Sequence, residues 1–215
     1  KYSDMVDYYT MWVHQIKTPI ASMHLILQKE DSEDSRRLRA ELFRVEQYVQ
    51  MVLCFLRLDS DFTDYVIKEY RVDDIIRPAV RRLAPQFIMK KLSLEYEQTD
   101  EVALTDEKWL GFVVEQVLSN AVKYTSAGSI SIKCDGDRLV ISDTGIGIAA
   151  EDLPRIFDKG YTGFNGRADR KASGIGLYLC RRICDNLGHS IKAESVPGHG
   201  TTIIIGLERD KLEVE

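Results

Sequence analysis

The sequence predicts an α+β protein in two parts, a helical hairpin over residues 1–62 and an α/β sandwich over residues 63–215. Three observations carry this prediction. Two long stretches near the start place apolar residues at helical spacing on either side of a short polar break. After Asp59-Ser60-Asp61 the pattern changes to short β-type runs interleaved with amphipathic helices. The later runs are joined mostly by tight turns, as in one mostly antiparallel sheet with helices on one face.

In the first part, Trp12, Ile16, Ile20, Met23 and Leu27 mark a helix from Asp4 to Leu27. The segment Lys29 to Asp34 is polar and short, as a connection between antiparallel helices should be. Leu38, Leu42, Val45, Val49, Val52 and Leu56 mark the second helix, and Arg36, Arg37, Arg39, Glu41, Arg44 and Glu46 form its charged face. An isolated pair cannot bury both apolar stripes. A second copy would complete a four-helix bundle, so a homodimer is expected.

In the second part, Tyr65–Tyr70 reads as a strand and Val72–Lys90 as a helix, with Pro78 placed near its first turn, where proline is tolerated. Leu92–Tyr96 and Val102–Leu104 read as strands. Asp106–Tyr124 is amphipathic through Trp109, Phe112, Val113, Val117, Leu118 and Val122. Ser129–Lys133 and Arg138–Ser142 form a hairpin around Asp135-Gly136-Asp137. Gly174–Leu187 reads as a helix, and Ser190–Ser195 and Thr201–Leu207 as the last two strands.

Bulk properties exclude some functions. A net charge of −5 supplies no basic face, so no nucleic-acid partner is expected. No run of about 18 apolar residues occurs. The sequence starts at Lys1, which reads as a fragment of a longer protein with a membrane segment expected upstream. Cys54, Cys134, Cys180 and Cys184 form no C-x-x-C and lack histidine partners at metal spacing, so they read as small core residues in a reducing compartment.

The chemistry gathers in a few short strings. His14 lies five residues before Pro19, which should bend the helix near it. Its imidazole is largely neutral and nucleophilic at pH 7, and Lys17 and Thr18 share its face. His24 is read as a surface residue, and His189 and His199 as structural residues at turns. Asn120 offers a hard oxygen for Mg²⁺. Lys123 is placed to meet a phosphate, and Tyr124 to pack on a base or ribose. Asp143 ends a strand and can accept from an adenine amino group, while Gly145 and Gly147 let backbone approach a ligand. Gly174, Gly176 and Leu177 open a helix whose free N–H groups suit phosphate. No G-K-[ST] follows, so this is not a Walker loop, and the G-x-G-x-x-G spacing of a Rossmann site is missing. Phe157 to Ser173 reads as a lid over the triphosphate, with Lys159, Arg167, Arg170 and Lys171 as its cations. Each string alone is an ordinary turn or helix end. Their order predicts an enzyme that moves phosphate from ATP to its own histidine.

These strings resemble the sensor histidine kinases of bacterial two-component systems over nearly the whole chain. His14–Pro19 is similar to the phosphoacceptor box, Glu115–Tyr124 to the N box, and Asp143–Gly147 to the first glycine box. Ile156-Phe157 is similar to the F box, Gly174–Leu177 to the second glycine box, and Gly198–Thr201 to the closing turn. The forms H-Q-I-K-T-P-I and F-D-K-G-Y-T-G most resemble the intramembrane-sensing kinases of Firmicutes paired with antimicrobial-peptide transporters. The resemblance implies a dimerisation and phosphotransfer hairpin followed by a Bergerat-type ATP-binding domain, on the cytoplasmic side of a protein anchored in the cell membrane. It implies ATP and Mg²⁺, phosphorylation of His14, and transfer to an aspartate on a response regulator's receiver domain. It assigns Thr18 to positioning water for dephosphorylation of the regulator, Thr201 to the nucleotide site, and a transporter as a further partner. Gln15 stands where the family often has a carboxylate, and Gln116 where it has the first N-box asparagine. An uncharged Gln15 orients the imidazole without raising its basicity, which implies slow autophosphorylation. Two rival functions remain, a non-catalytic dimeric signalling module and a Bergerat-type ATPase that hydrolyses ATP to water.

Overall fold

A computed structural model of the chain describes residues 2–29, 32–58, 65–163 and 173–208; the side chains of residues 2–10 and of His14 lie outside the description. The chain divides into two compact units, residues 1–64 and 65–215.

The first unit is a pair of helices, α1 (Tyr2–Leu27) and α2 (Glu33–Leu58). Pro19 lies inside α1, which continues through it with Pro19 exposed. Ser32 Oγ accepts from the Ser35 N–H at 3.1 Å and satisfies a donor in the first turn of α2, where Glu33 and Asp34 also complement the helix dipole. Val13, Ile20, Leu42, Leu53 and Leu56 are buried in this unit. His24 was expected at the surface; it is half-buried, with Nε2 3.1 Å from Glu46 Oε1 of α2.

The second unit follows the order β1 (Lys68–Arg71), α3 (Val72–Lys90), β2 (Ser93–Tyr96), β3 (Val102–Thr105), α4 (Glu107–Tyr124), β4 (Ser129–Asp135), β5 (Arg138–Asp143), α5 (Gly176–Leu187), β6 (Ser190–Val196) and β7 (Gly200–Gly206). The strands form two sheets, not the single one expected. β1 and β3 pair antiparallel as a separate two-stranded ribbon, and the main sheet has the order β2-β4-β5-β7-β6. Only β2 and β4 run parallel; the remaining neighbours are antiparallel.

The sheet buries one face by period-2 alternation. Ile130 and Ile132 of β4, Leu139 and Ile141 of β5, and Ile203 and Ile205 of β7 are buried. The helices supply the matching layer through Ile76 and Leu83 of α3, Leu110, Val114 and Leu118 of α4, and Leu179, Ile183 and Leu187 of α5. Cys180 and Cys184 belong to this layer and are fully buried, as the sequence suggests for small apolar residues.

Pro78 lies deeper than expected. α3 begins at Val72, so Pro78 sits in its second turn, and Pro85 is also internal. Each removes one helical hydrogen bond. Both are exposed, while Ile75, Ile76, Ala79, Leu83 and Phe87 hold the opposite face in the core. Tertiary burial outweighs the local cost.

Candidate nucleotide site

α4 is fixed at both ends. Asp106 caps its start, with Oδ1 accepting from the N–H groups of Lys108 at 2.9 Å and Trp109 at 3.1 Å. Its other oxygen accepts from the Val66 N–H at 2.8 Å. Lys90 Nζ, from the last residue of α3, reaches the carbonyls at the other end. The last two turns of α4 carry Asn120, half-buried and without a side-chain hydrogen bond among the described residues, then Lys123 and Tyr124. The Lys123 ammonium lies 4.9 Å from the Tyr124 ring centre.

Asp143 ends β5, paired with Thr201 of β7. Its Oδ1 accepts from the Gly145 N–H at 2.8 Å and from the Thr201 N–H at 3.3 Å. Burial pushes its carboxyl above the usual range, and the hydrogen bonds from Gly145, Thr201 and Thr125 only partly offset this. The Thr125 hydroxyl is buried and has no well-formed hydrogen bond. A methyl group on Gly145 would lie 2.8 Å from Asp143 Oδ1 and 2.9 Å from Thr125 Oγ1. Oxygen atoms of Tyr124, Asp143 and Thr125 thus crowd position 145 too closely for any side chain.

The turn after Gly145 is closed from two sides. The Ile146 N–H donates to the Tyr124 carbonyl at 3.3 Å, and the Ile146 carbonyl accepts from the Gly198 N–H at 2.8 Å. Gly147 has φ +69°, and a Cβ there would run into the Val196 carbonyl. Ser195 Oγ accepts from the Ile148 N–H at 2.8 Å and donates to the Gly200 carbonyl at 2.7 Å. Asp143, Gly145, Gly147 and Thr201 are therefore one bonded constellation, to which α4 adds Tyr124.

The second glycine string is attached to the start of the predicted lid. The Gly160 N–H donates to the Gly174 carbonyl at 3.0 Å. Gly176 opens α5 and Leu177 is half-buried in its first turn. Buried Asp152 accepts from the Tyr161 hydroxyl, and the Arg155 guanidinium lies 4.3 Å from the Tyr161 ring centre. Lys159 is exposed, while Arg167, Arg170 and Lys171 fall outside the described residues.

His14, Gln15 and Thr18 belong to α1 in the other unit, where Gln15 and Thr18 are exposed. Sequence reasoning missed Thr125, Ser195 and Lys90. A threonine after a helix and a lysine at the end of another carry no motif; only the tertiary structure brings them to the turn. A hydrolytic ATPase would carry its carboxylate where Gln116 stands; Glu115, one residue off, is paired with Arg82 of α3 at 3.1 Å.

The donor set fits an adenine nucleotide. The Asp143 carboxylate offers an acceptor for an amino group, the buried Thr125 hydroxyl beside it lacks a well-formed hydrogen bond, and Asn120 presents a hard oxygen. Comparison with known proteins agrees. Residues 105–211 match the family "Histidine kinase-, DNA gyrase B-, and HSP90-like ATPase". The fold and site thus define a member of this class of nucleotide-binding domains. More narrowly, the chain is similar to sensor histidine kinases. It is 35% identical over 205 residues to the sensor histidine kinase YxdK of Bacillus subtilis, covering 92% of this chain and 63% of that protein. It is 35% identical over 206 residues to the sensor protein BceS of Halalkalibacterium halodurans, covering 93% and 61%. The chain thus spans about three fifths of the length of these relatives. Full-length ShkA in complex with AMPPNP shares the fold, with a TM-score of 0.65 and 21% identity over 96% of this chain and 47% of that one.

Proposed function

We propose that the chain is the kinase portion of a membrane-anchored sensor, acting as a homodimer on the cytoplasmic side. It binds ATP at Asp143, phosphorylates His14 and passes the phosphoryl group to an aspartate on a response regulator's receiver domain. The observation that carries the reading is the bonded constellation of Asp143, Gly145 and Thr201, with the buried Thr125 hydroxyl beside it.

Asp143 accepts from the adenine amino group, and glycine at 145 keeps a side chain out of the way. Tyr124 and Lys123 border the ribose and phosphates, and Gly174, Gly176 and Leu177 offer backbone N–H groups at the start of α5. Mg²⁺ would be held by the Asn120 side-chain oxygen and would neutralise phosphate charge. A ring nitrogen of His14 attacks the terminal phosphorus, the bond from phosphorus to the ADP oxygen breaks, and the imidazole proton leaves to solvent. Gln15 orients the ring without adding charge, and Thr18 stands beside it for the regulator's dephosphorylation. A transporter is the proposed source of the signal.

Incubation with γ-labelled ATP tests this. Label should appear on the wild type, resist alkali, yield to acid because the bond is P–N, and vanish in His14→Ala. Label that survives in His14→Ala, or turnover to free phosphate with no labelled protein, would refute it.

A further inference from the structure

A residue that no motif marks holds most of the last carbonyls of α4. The Ala121 carbonyl accepts from the Thr125 N–H at 3.1 Å, the ordinary helical bond. The next four carbonyls need partners from elsewhere. Lys90 Nζ donates to three of them, those of Val122, Lys123 and Thr125, the last two at 3.0 Å. The one it leaves, that of Tyr124, accepts from the Ile146 N–H inside the turn after Asp143.

We propose that Lys90 is a positioning residue for nucleotide binding: its ammonium sets how the end of α4 meets the Asp143–Gly147 turn. The inference rests on the nucleotide reading above and deepens it. Lys90 is suited to the task by its place. Lys91 takes the left-handed conformation that ends α3, with φ 55°, so Lys90 is the last helical residue and reaches across to the neighbouring helix. A cation at the negative end of α4 is favourable, and three carbonyls replace the water that a half-buried ammonium gives up. By gathering the carbonyls on either side of Tyr124, it leaves that of Tyr124 directed at the turn. The same clamp holds the backbone of Thr125, whose hydroxyl lies beside Asp143.

A helix cap with no further role would change stability alone, so the test reads affinity and stability separately in the whole chain. ADP binding is measured by calorimetry well below the melting temperature, together with amide hydrogen exchange at Ile146. Lys90→Met should lower ADP affinity about tenfold and speed exchange at Ile146. Lys90→Arg, which restores a cationic donor, should return affinity to within about threefold of wild type. If Lys90→Met does not fold, Lys90→Gln is read the same way. Wild-type affinity and exchange in Lys90→Met or Lys90→Gln would overturn the proposal while leaving the nucleotide site intact. A wild-type chain that does not bind ADP would overturn both.

Discussion

The two units solve the burial of apolar surface differently. In the sandwich, the large aliphatic residues of α4, α5 and the inner sheet face are almost fully enclosed within one chain. In the hairpin, Trp12, Met23, Leu25, Ile26, Leu38, Val45 and Val52 remain exposed, with Ile26 at 66% and Leu38 at 56%. Leu38, Val45 and Val52 recur every seven residues, the spacing of a coiled-coil seam on one side of α2. The sandwich has what it needs to stand alone, whereas the hairpin carries a ready-made contact face. On the proposed reading, a second copy would cover the apolar face of the first unit, while the second unit buries its own core.

The sharpest way to break this contrast is a charge on the seam. Val45→Glu should convert the dimer to monomer in analytical ultracentrifugation, because each copy then buries a carboxylate in place of an aliphatic group that contributes about 1.5–3 kcal/mol. ADP binding by the sandwich should stay within about twofold of wild type. A Val45→Glu chain that remains dimeric would move the interface away from α2.

Within the sandwich, Asp143→Asn should separate binding from stability. Asp143 has a raised pKa in the folded state, so the fold binds its proton more tightly than the unfolded chain does. Its contribution to stability therefore falls as pH rises from the unfolded pKa through the folded one, and at neutral pH the buried charge opposes folding. A donor from the ligand favours the ionised form, so nucleotide affinity should rise with pH through the same window. Asn removes the charge and should leave the melting temperature at pH 7 unchanged or higher, while ADP affinity falls by about 10–100-fold. Loss of stability with affinity intact would make Asp143 a structural residue.

Asp73 is the opposite case, and it sharpens the comparison because it too is buried. Burial pushes its carboxyl up, but the Tyr96 hydroxyl, the Thr99 N–H at 3.2 Å and the Arg77 guanidinium at 2.6 Å more than offset this, and the net shift is downward. Its stabilisation is therefore present above the unfolded pKa and is lost as pH falls through the folded one. Asp73→Ala should cost about 2 kcal/mol at pH 7 in urea titration and less in acid, with ADP affinity unaffected.

How much of this was legible in the sequence follows the same division. Periodicity marked the helices of both units because their apolar stripes are continuous, and α3 ends at Lys90 as the pattern predicts. Gly145 and Gly147 were legible because close backbone approach excludes a side chain. The ribbon of β1 and β3 was not, since four-residue strands carry no signal about which sheet they join. Pro78 was misplaced because burial of Ile75, Ile76 and Leu83 overrides a local rule. Lys90 and Thr125 were invisible for a further reason: their partners lie on backbone atoms or on residues far along the chain, and a sequence does not display carbonyls.

The smallest expected effect tests that last point. The Thr125 hydroxyl is buried beside a partly desolvated carboxylate, yet it lacks a well-formed bond in the protein. A structural hydroxyl in that position would be fully satisfied, since an unsatisfied buried hydroxyl costs free energy. Thr125→Val keeps the shape and removes the group. If the hydroxyl exists for the ligand, the variant should melt at or slightly above the wild-type temperature, and ADP affinity should fall about fivefold, equivalent to about 1 kcal/mol for one neutral hydrogen bond. If it exists for the fold, the order reverses: the melting temperature drops and affinity holds. Two measurements on one conservative variant thus decide whether the hydroxyl beside Asp143 is placed for a ligand or for the protein around it.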